Sequence, residues 1–147
     1  MGQYFKIVNL DKKQFLNPHA FGNGLKLCEF GASVTMMGLA ALLSDGNGRG
    51  GGDLHVPEDN PFAGMVGSWA GDRIVITGDY ADEGRFTDNP EITLYGAVND
   101  GSYENISSKV VLLLAEDEYF RNLLTDGIWT NEYKLSNIYK EFNYTPE

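Results

Sequence analysis

The chain of 147 residues carries 21 Asp and Glu against 11 Lys and Arg, a net charge of −10, and 42% of it is apolar. That composition excludes a disordered chain and reads as one acidic globular domain over residues 1–147. The pI near 4.5 argues against duplex nucleic acid as a partner, because affinity for phosphate backbones comes from Lys and Arg.

The charge is uneven: residues 1–43 carry +2, residues 44–104 carry −9 and residues 105–147 carry −3. The glycines concentrate in the same central third, so a polar, loop-rich middle is where a site is expected. Eighteen aromatic residues supply bulk for a core that should bury about 70% of the unfolded chain's surface, without a metal or disulfide staple. Cys28 is alone and reads as a small buried hydrophobe in a reducing cytosol, not a nucleophile. The N-terminus lacks the order of a signal peptide, and no apolar run approaches the ~20 residues of a membrane span, so a cytoplasmic protein is expected.

Tyr4–Leu10 is rich in β-branched and aromatic residues, Asp11-Lys12-Lys13 breaks the run, and Gln14-Phe15-Leu16 resumes it: a hairpin. Asn17-Pro18 ends the second strand, since proline cannot donate to a ladder, and Phe21–Gly24 is a turn. Leu25–Phe30 reads as a strand or a short helix. Apolar residues around almost the whole circumference predict a buried helix over Val34–Leu43, where Met36 and Met37 fill gaps.

Between Asp45 and Asp53, five of seven positions are glycine, too costly in entropy for helix or strand interior, so this is a loop. A second loop over Val56–Phe62 leads to Trp69, after which Arg73–Thr77 has the density of a buried strand closed by Gly78-Asp79. Glu91–Tyr95 reads as another strand, with Gly96 marking a bulge or bend. A long helix is expected from a cap at Asn105 or Ser107 to Leu124, emerging from the core where Glu116-Asp117-Glu118 interrupts its apolar cover, with Gly127 as its stop. A short strand at Ile128–Thr130 and a terminal helix around Leu135–Phe142 complete the reading. The predicted architecture is α+β: a mainly antiparallel sheet packed by two or three helices in a single domain.

The glycine loop can cradle an anion on consecutive amides, with Arg49, Gly50 and Gly51 at its centre; the alternative is a connection whose glycines only provide reach. Gly46–Gly51 matches the dinucleotide spacing but follows a helix, and no lysine lies between Lys26 and Lys109 to complete a P-loop. Counted from Asp45, an EF-hand would need acceptors where Arg49 and Val56 stand. A zinc site at Asp53 and His55 lacks a nearby third ligand, His19 being distant in sequence. No nucleophile elbow surrounds Ser68 and no metalloprotease motif occurs, so no catalytic residue, cofactor or metal is assigned.

Trp69-Ala-Gly-Asp72-Arg73-Ile-Val-Ile-Thr-Gly-Asp79-Tyr80 places an aspartate at each end of an apolar strand. Asp72 and Asp79 read either as site carboxylates or as turn residues accepting local amide bonds. Arg73 reads as a ligand contact or a structural ion pair, Trp69 and Tyr80 as stacking faces or core lids, and His19 as a base or a structural histidine. Together with Met1-Gly-Gln-Tyr-Phe5, Asn9-Leu-Asp-Lys12, Pro18-His19 and Gly24-Leu-Lys-Leu27, this segment resembles a family of uncharacterised small microbial and phage-type proteins. The resemblance covers roughly the first 80 residues and implies no activity.

Arginine, backbone amides and aromatic faces in one third of the chain suggest a non-enzymatic module binding a small polar molecule or nucleotide through Arg49, Gly50, Gly51, Trp69, Asp72, Arg73, Asp79 and Tyr80. A second reading is an acidic interaction or inhibitor protein with a basic partner, acting as a host or phage factor or nucleic-acid mimic. A third is a metal-assisted hydrolase using Asp53, His55, Asp72 and Asp79. Self-association through the aromatic C-terminus is a further expectation.

Overall fold

A computed structural model describes residues 2–127 and 131–147, so the strand expected at Ile128–Thr130 lies outside the described residues. The fold is α+β. Strands β1 (Phe5–Asn9) and β2 (Gln14–Leu16) form the expected hairpin. A 3-10 turn at Pro18–Phe21, begun by Asn17, leads to α1 (Leu27–Phe30) and α2 (Val34–Leu43). Beyond a long irregular segment come β3 (Ile74–Gly78), α3 (Leu94–Ala97), β4 (Glu104–Asn105), α4 (Ser107–Leu114), α5 (Glu118–Gly127) and α6 (Leu135–Phe142). Among the described residues no helix is long and apolar enough to cross a membrane.

The sheet runs β3-β1-β2-β4, antiparallel except for the short β2–β4 pair. Alternation along the strands sends Ile7, Leu16 and Ile74 to the main core under the helices, and Val8, Phe15 and Val75 to a smaller cluster with Leu94 and Val98. The helix α2 is held at its start by Asn23, whose Oδ1 accepts the Thr35 amide at 3.1 Å while its Nδ2 donates to Ser33 Oγ at 3.0 Å. It buries Val34, Leu39, Ala41 and Leu42 against Phe21, Val110 and Trp69 in the main core.

Three sequence expectations are corrected. Glu91–Tyr95 is not a strand: Thr93 Oγ1 accepts the Gly96 amide at 3.1 Å and caps the single turn of α3, so local side-chain bonding overrides a β-rich composition. The long helix is two. The cap position of α4 is Ile106, not Asn105 or Ser107, although Asn105 Oδ1 just before it accepts the Ser107 amide at 3.0 Å; Asp117 Oδ1 takes the Tyr119 amide at 2.9 Å and starts α5 afresh beyond the acidic break. Cys28 is exposed, because α1 is only one turn long and buries Phe30 alone.

Candidate functional site

The glycine loop is a closed ring. Asn47 imitates a strand partner for Leu54, donating Nδ2 to its carbonyl at 2.7 Å and accepting its amide on Oδ1 at 2.9 Å. Asp53 Oδ2 accepts the amides of Gly48, Arg49 and Gly50 at 2.8, 2.9 and 3.0 Å. These bonds, led by that from Gly50, hold the Asp53 carboxyl below its ordinary pKa. Gly46, Gly48 and Gly52 have φ of 89°, 95° and 88°, the left-handed backbone the ring requires. Leu54, 6% exposed, anchors the ring in the main core.

Three amides of the cradle expected for an outside anion, those of Gly48, Arg49 and Gly50, are thus taken by the chain's own carboxylate, and the Gly51 amide is not among them. Arg49 differs. Its amide belongs to the ring, while its exposed side chain makes no hydrogen bond or ion pair with any described residue.

The chain returns to α2 along 63–69. The Gly67 and Trp69 amides donate to the Ala41 and Leu42 carbonyls, both at 2.9 Å, and satisfy the end of the helix. Gly67 lies at φ 79°, and a Cβ there would sit 2.5 Å from the Ser44 carbonyl oxygen. This return sets Ala63 and Val66 with the ring around an open cavity of about 490 Å³. Its walls are apolar at Leu54, Val56, Ala63 and Val66, and polar at Ser44, Asn47, Arg49 and His55. A volume of this size holds a small organic molecule. Ser44, Ala63 and Val66 escape sequence reasoning because nothing local marks them as facing the ring.

No family model, curated protein or solved structure matches the chain. The site is thus read from its geometry.

The residues around β3 are brought together elsewhere. Trp69 is wholly buried and donates Nε1 to Gln14 Oε1 at 2.8 Å, so it is a core side chain, not a stacking face. Asp72 Oδ2 accepts Asn9 Nδ2 at 2.9 Å and Lys12 Nζ at 2.5 Å; these bonds, Asn9's first, lower its pKa. Arg73 donates its amide and Nε to the two oxygens of Asp11, both at 2.8 Å. Asp11 is held below its ordinary pKa, first by that amide and then by the guanidinium. Asp79 Oδ1 accepts the Tyr4 amide at 3.0 Å. The two aspartates thus pin the ends of the β1–β3 pair through partners more than fifty residues away, a role neither sequence reading contained. Tyr80 is 60% exposed beyond β3.

None of Trp69, Asp72, Arg73, Asp79 or Tyr80 lines the cavity beside Arg49. His19 sits in the 3-10 turn, its amide donating to Asn17 Oδ1 at 3.1 Å. Among the described residues no three His, Cys, Asp or Glu are placed to hold a metal ion, so Asp53, His55, Asp72 and Asp79 do not form the set a metal-assisted hydrolase would need.

Proposed function

We propose that the protein is a non-enzymatic binding module for a small polar ligand bearing a negative charge, held between the glycine ring and the 63–66 wall. The observation that carries this reading is Arg49: a guanidinium with no partner among the described residues in a chain of charge −10, on a loop whose own bonds fix its backbone. Acidic residues outnumber basic ones almost two to one, so a cation left unpaired beside a concave site favours an external anion. Phosphate and carboxylate match a guanidinium fork, His55 and Ser44 add polar contacts, and Leu54, Val56 and Val66 suit the apolar part of an organic anion. A nucleotide or nucleotide-derived signal is one such ligand. Without Trp69 or Tyr80 in the cavity, its base would rest on aliphatic side chains.

The test is a thermal-shift and calorimetric screen against nucleotides, cyclic nucleotides, ADP-ribose derivatives and small organic phosphates, run on the wild type and on Arg49→Ala. Binding that disappears in Arg49→Ala supports the reading. Flat curves across the screen, or binding indifferent to Arg49, remove it.

A further inference from the structure

Among the described residues, three that are not glycine have left-handed backbone, and two of them, Lys13 at φ 54° and Phe86 at φ 62°, line one cavity. The third, Asn143, ends α6. Long and bulky side chains rarely adopt this conformation, and strain of this kind gathers where a ligand is held. Lys13 takes the last place of the β1–β2 turn, where glycine or asparagine would be the unstrained choice.

The cavity has a volume of about 180 Å³, against about 490 Å³ beside Arg49. At ~30 Å³ for each water in the liquid, it has room for about six waters. A nucleotide does not fit that space, whereas a free amino acid does.

Three charged side chains line it: Lys13, Arg73 and Asp88. Arg73 is already matched, its Nε and Nη2 each 2.8 Å from Asp11 Oδ1. Lys13 Nζ lies 4.9 Å from the centroid of the Tyr103 ring, and the Asp100 carboxylate attracts it without an ion pair. Neither Lys13 nor Asp88 makes an ion pair with the other or with any described residue. Beside Asp88, the Thr87 hydroxyl donates to the Asn89 carbonyl at 2.7 Å, so its oxygen is left to accept. Leu10, Phe86 and Tyr103 supply the apolar lining.

The lining therefore offers one unpaired cation, one unpaired carboxylate with a hydroxyl acceptor next to it, and apolar surface. A simple anion would meet Asp88, and a simple cation would meet Lys13 and Arg73. A molecule carrying both charges satisfies both.

We propose that this cavity binds a free α-amino acid with an apolar side chain, such as leucine or methionine. Its carboxylate pairs with Lys13, its ammonium with Asp88 and Thr87 Oγ1, and its side chain rests on Leu10 and Phe86. This site shares no lining residue with the Arg49 cavity and stands independently of it.

The test titrates the isotopically labelled full chain with L-leucine and with two analogues that each lack one charge, N-acetyl-L-leucine and 3-methylbutylamine. L-leucine is expected to give saturable shifts at the amides of Lys13, Phe86, Thr87, Asp88 and Tyr103, and each analogue to bind at least about tenfold more weakly. Lys13→Gln and Asp88→Asn, both at exposed positions, should each weaken leucine by about tenfold while the rest of the spectrum stays folded. Lys13→Gly should raise the melting temperature by relieving the left-handed backbone and lose leucine together with the cation, a combination that a merely structural turn residue would not give. No saturable shift at millimolar leucine overturns the proposal. So does an analogue that binds as tightly as leucine, shifts confined to other surfaces, or leucine affinity unchanged in Lys13→Gln and Asp88→Asn.

Discussion

Asp53 Oδ2 accepts the Arg49 amide at 2.9 Å, and the same arrangement leaves the Arg49 guanidinium without a partner among the described residues. One carboxylate thus fixes the loop backbone while leaving its only cation available. The ring is the pre-organised part of the site and the arginine is its reporter.

The ring has an acid limit. The folded-state pKa of Asp53 is depressed, so the stability it contributes to the loop is present above the ordinary carboxylate pKa of ~3.9 and is lost as pH falls through the lower folded value. Amide exchange at Gly48, Arg49 and Gly50 should stay slow to below about pH 4 and then accelerate together. Asp53→Ala should make the three fast at neutral pH and weaken any Arg49-dependent ligand. Protection unchanged in the variant would mean that the amides have other partners.

Gly67 carries the wall opposite the ring. A Cβ at φ 79°, 2.5 Å from the Ser44 carbonyl oxygen, meets strain and backbone contact at once. Gly67→Ala should lower stability by about 2 kcal/mol. It should also open the cavity by pushing the chain away from the end of α2. Thermal unfolding reads the first effect and ligand affinity the second. A variant with wild-type Tm would refute the close approach.

Much of this fold is legible locally, and the exceptions share a cause. The bounds of α2 and α6 follow from continuous apolar cover and from a sharp amphipathic stripe ending at Asn143, whose φ of 49° stops the helix. The hairpin follows from its broken β-rich run. In contrast, Thr93 and Asp117 redirect their segments through single hydrogen bonds that composition does not reveal. Glu104 and Asn105 become a strand only because β2 lies alongside. The glycine loop announces itself by composition, yet three of its amides are already bound by Asp53, and the fates of Trp69, Asp72, Arg73 and Asp79 depend on partners in the first fourteen residues.

Trp69 should behave as core. Trp69→Ala should cost about 3–5 kcal/mol, as truncating a wholly buried aromatic does. Trp69→Phe keeps most of the packing but orphans Gln14 Oε1, and should cost about 1–3 kcal/mol. Chemical denaturation measures both. In the wild type, Trp69 emission should be blue-shifted and inaccessible to iodide; a freely quenched Trp69 would contradict burial.

At the other limit of pH, the Tyr144 hydroxyl is pushed far above its ordinary pKa, by burial first and then by donating to the Glu116 carboxylate, which also accepts Asn60 Nδ2 at 2.7 Å. Because the folded-state value is raised, this contribution is complete below the unfolded pKa of ~10 and declines as pH climbs beyond it. Tyr144→Phe should lose about 1–2 kcal/mol at neutral pH, since Glu116 gives up a donor. Its alkaline decline should be shallower than the wild type's, although Tyr133 and Tyr139, also raised by burial, still contribute. Parallel alkaline limbs in the two proteins would exclude the Tyr144 contribution.

The most direct trial of the binding site is chemical-shift mapping with the strongest ligand from the anion screen, following backbone amides together with the Arg49 Nε–H. The account predicts movement confined to residues 44–56 and 63–66, with the Arg49 Nε–H shifted and slowed in exchange. Movement centred on Tyr80, or an Arg49 Nε–H that ignores the saturating ligand, would contradict it.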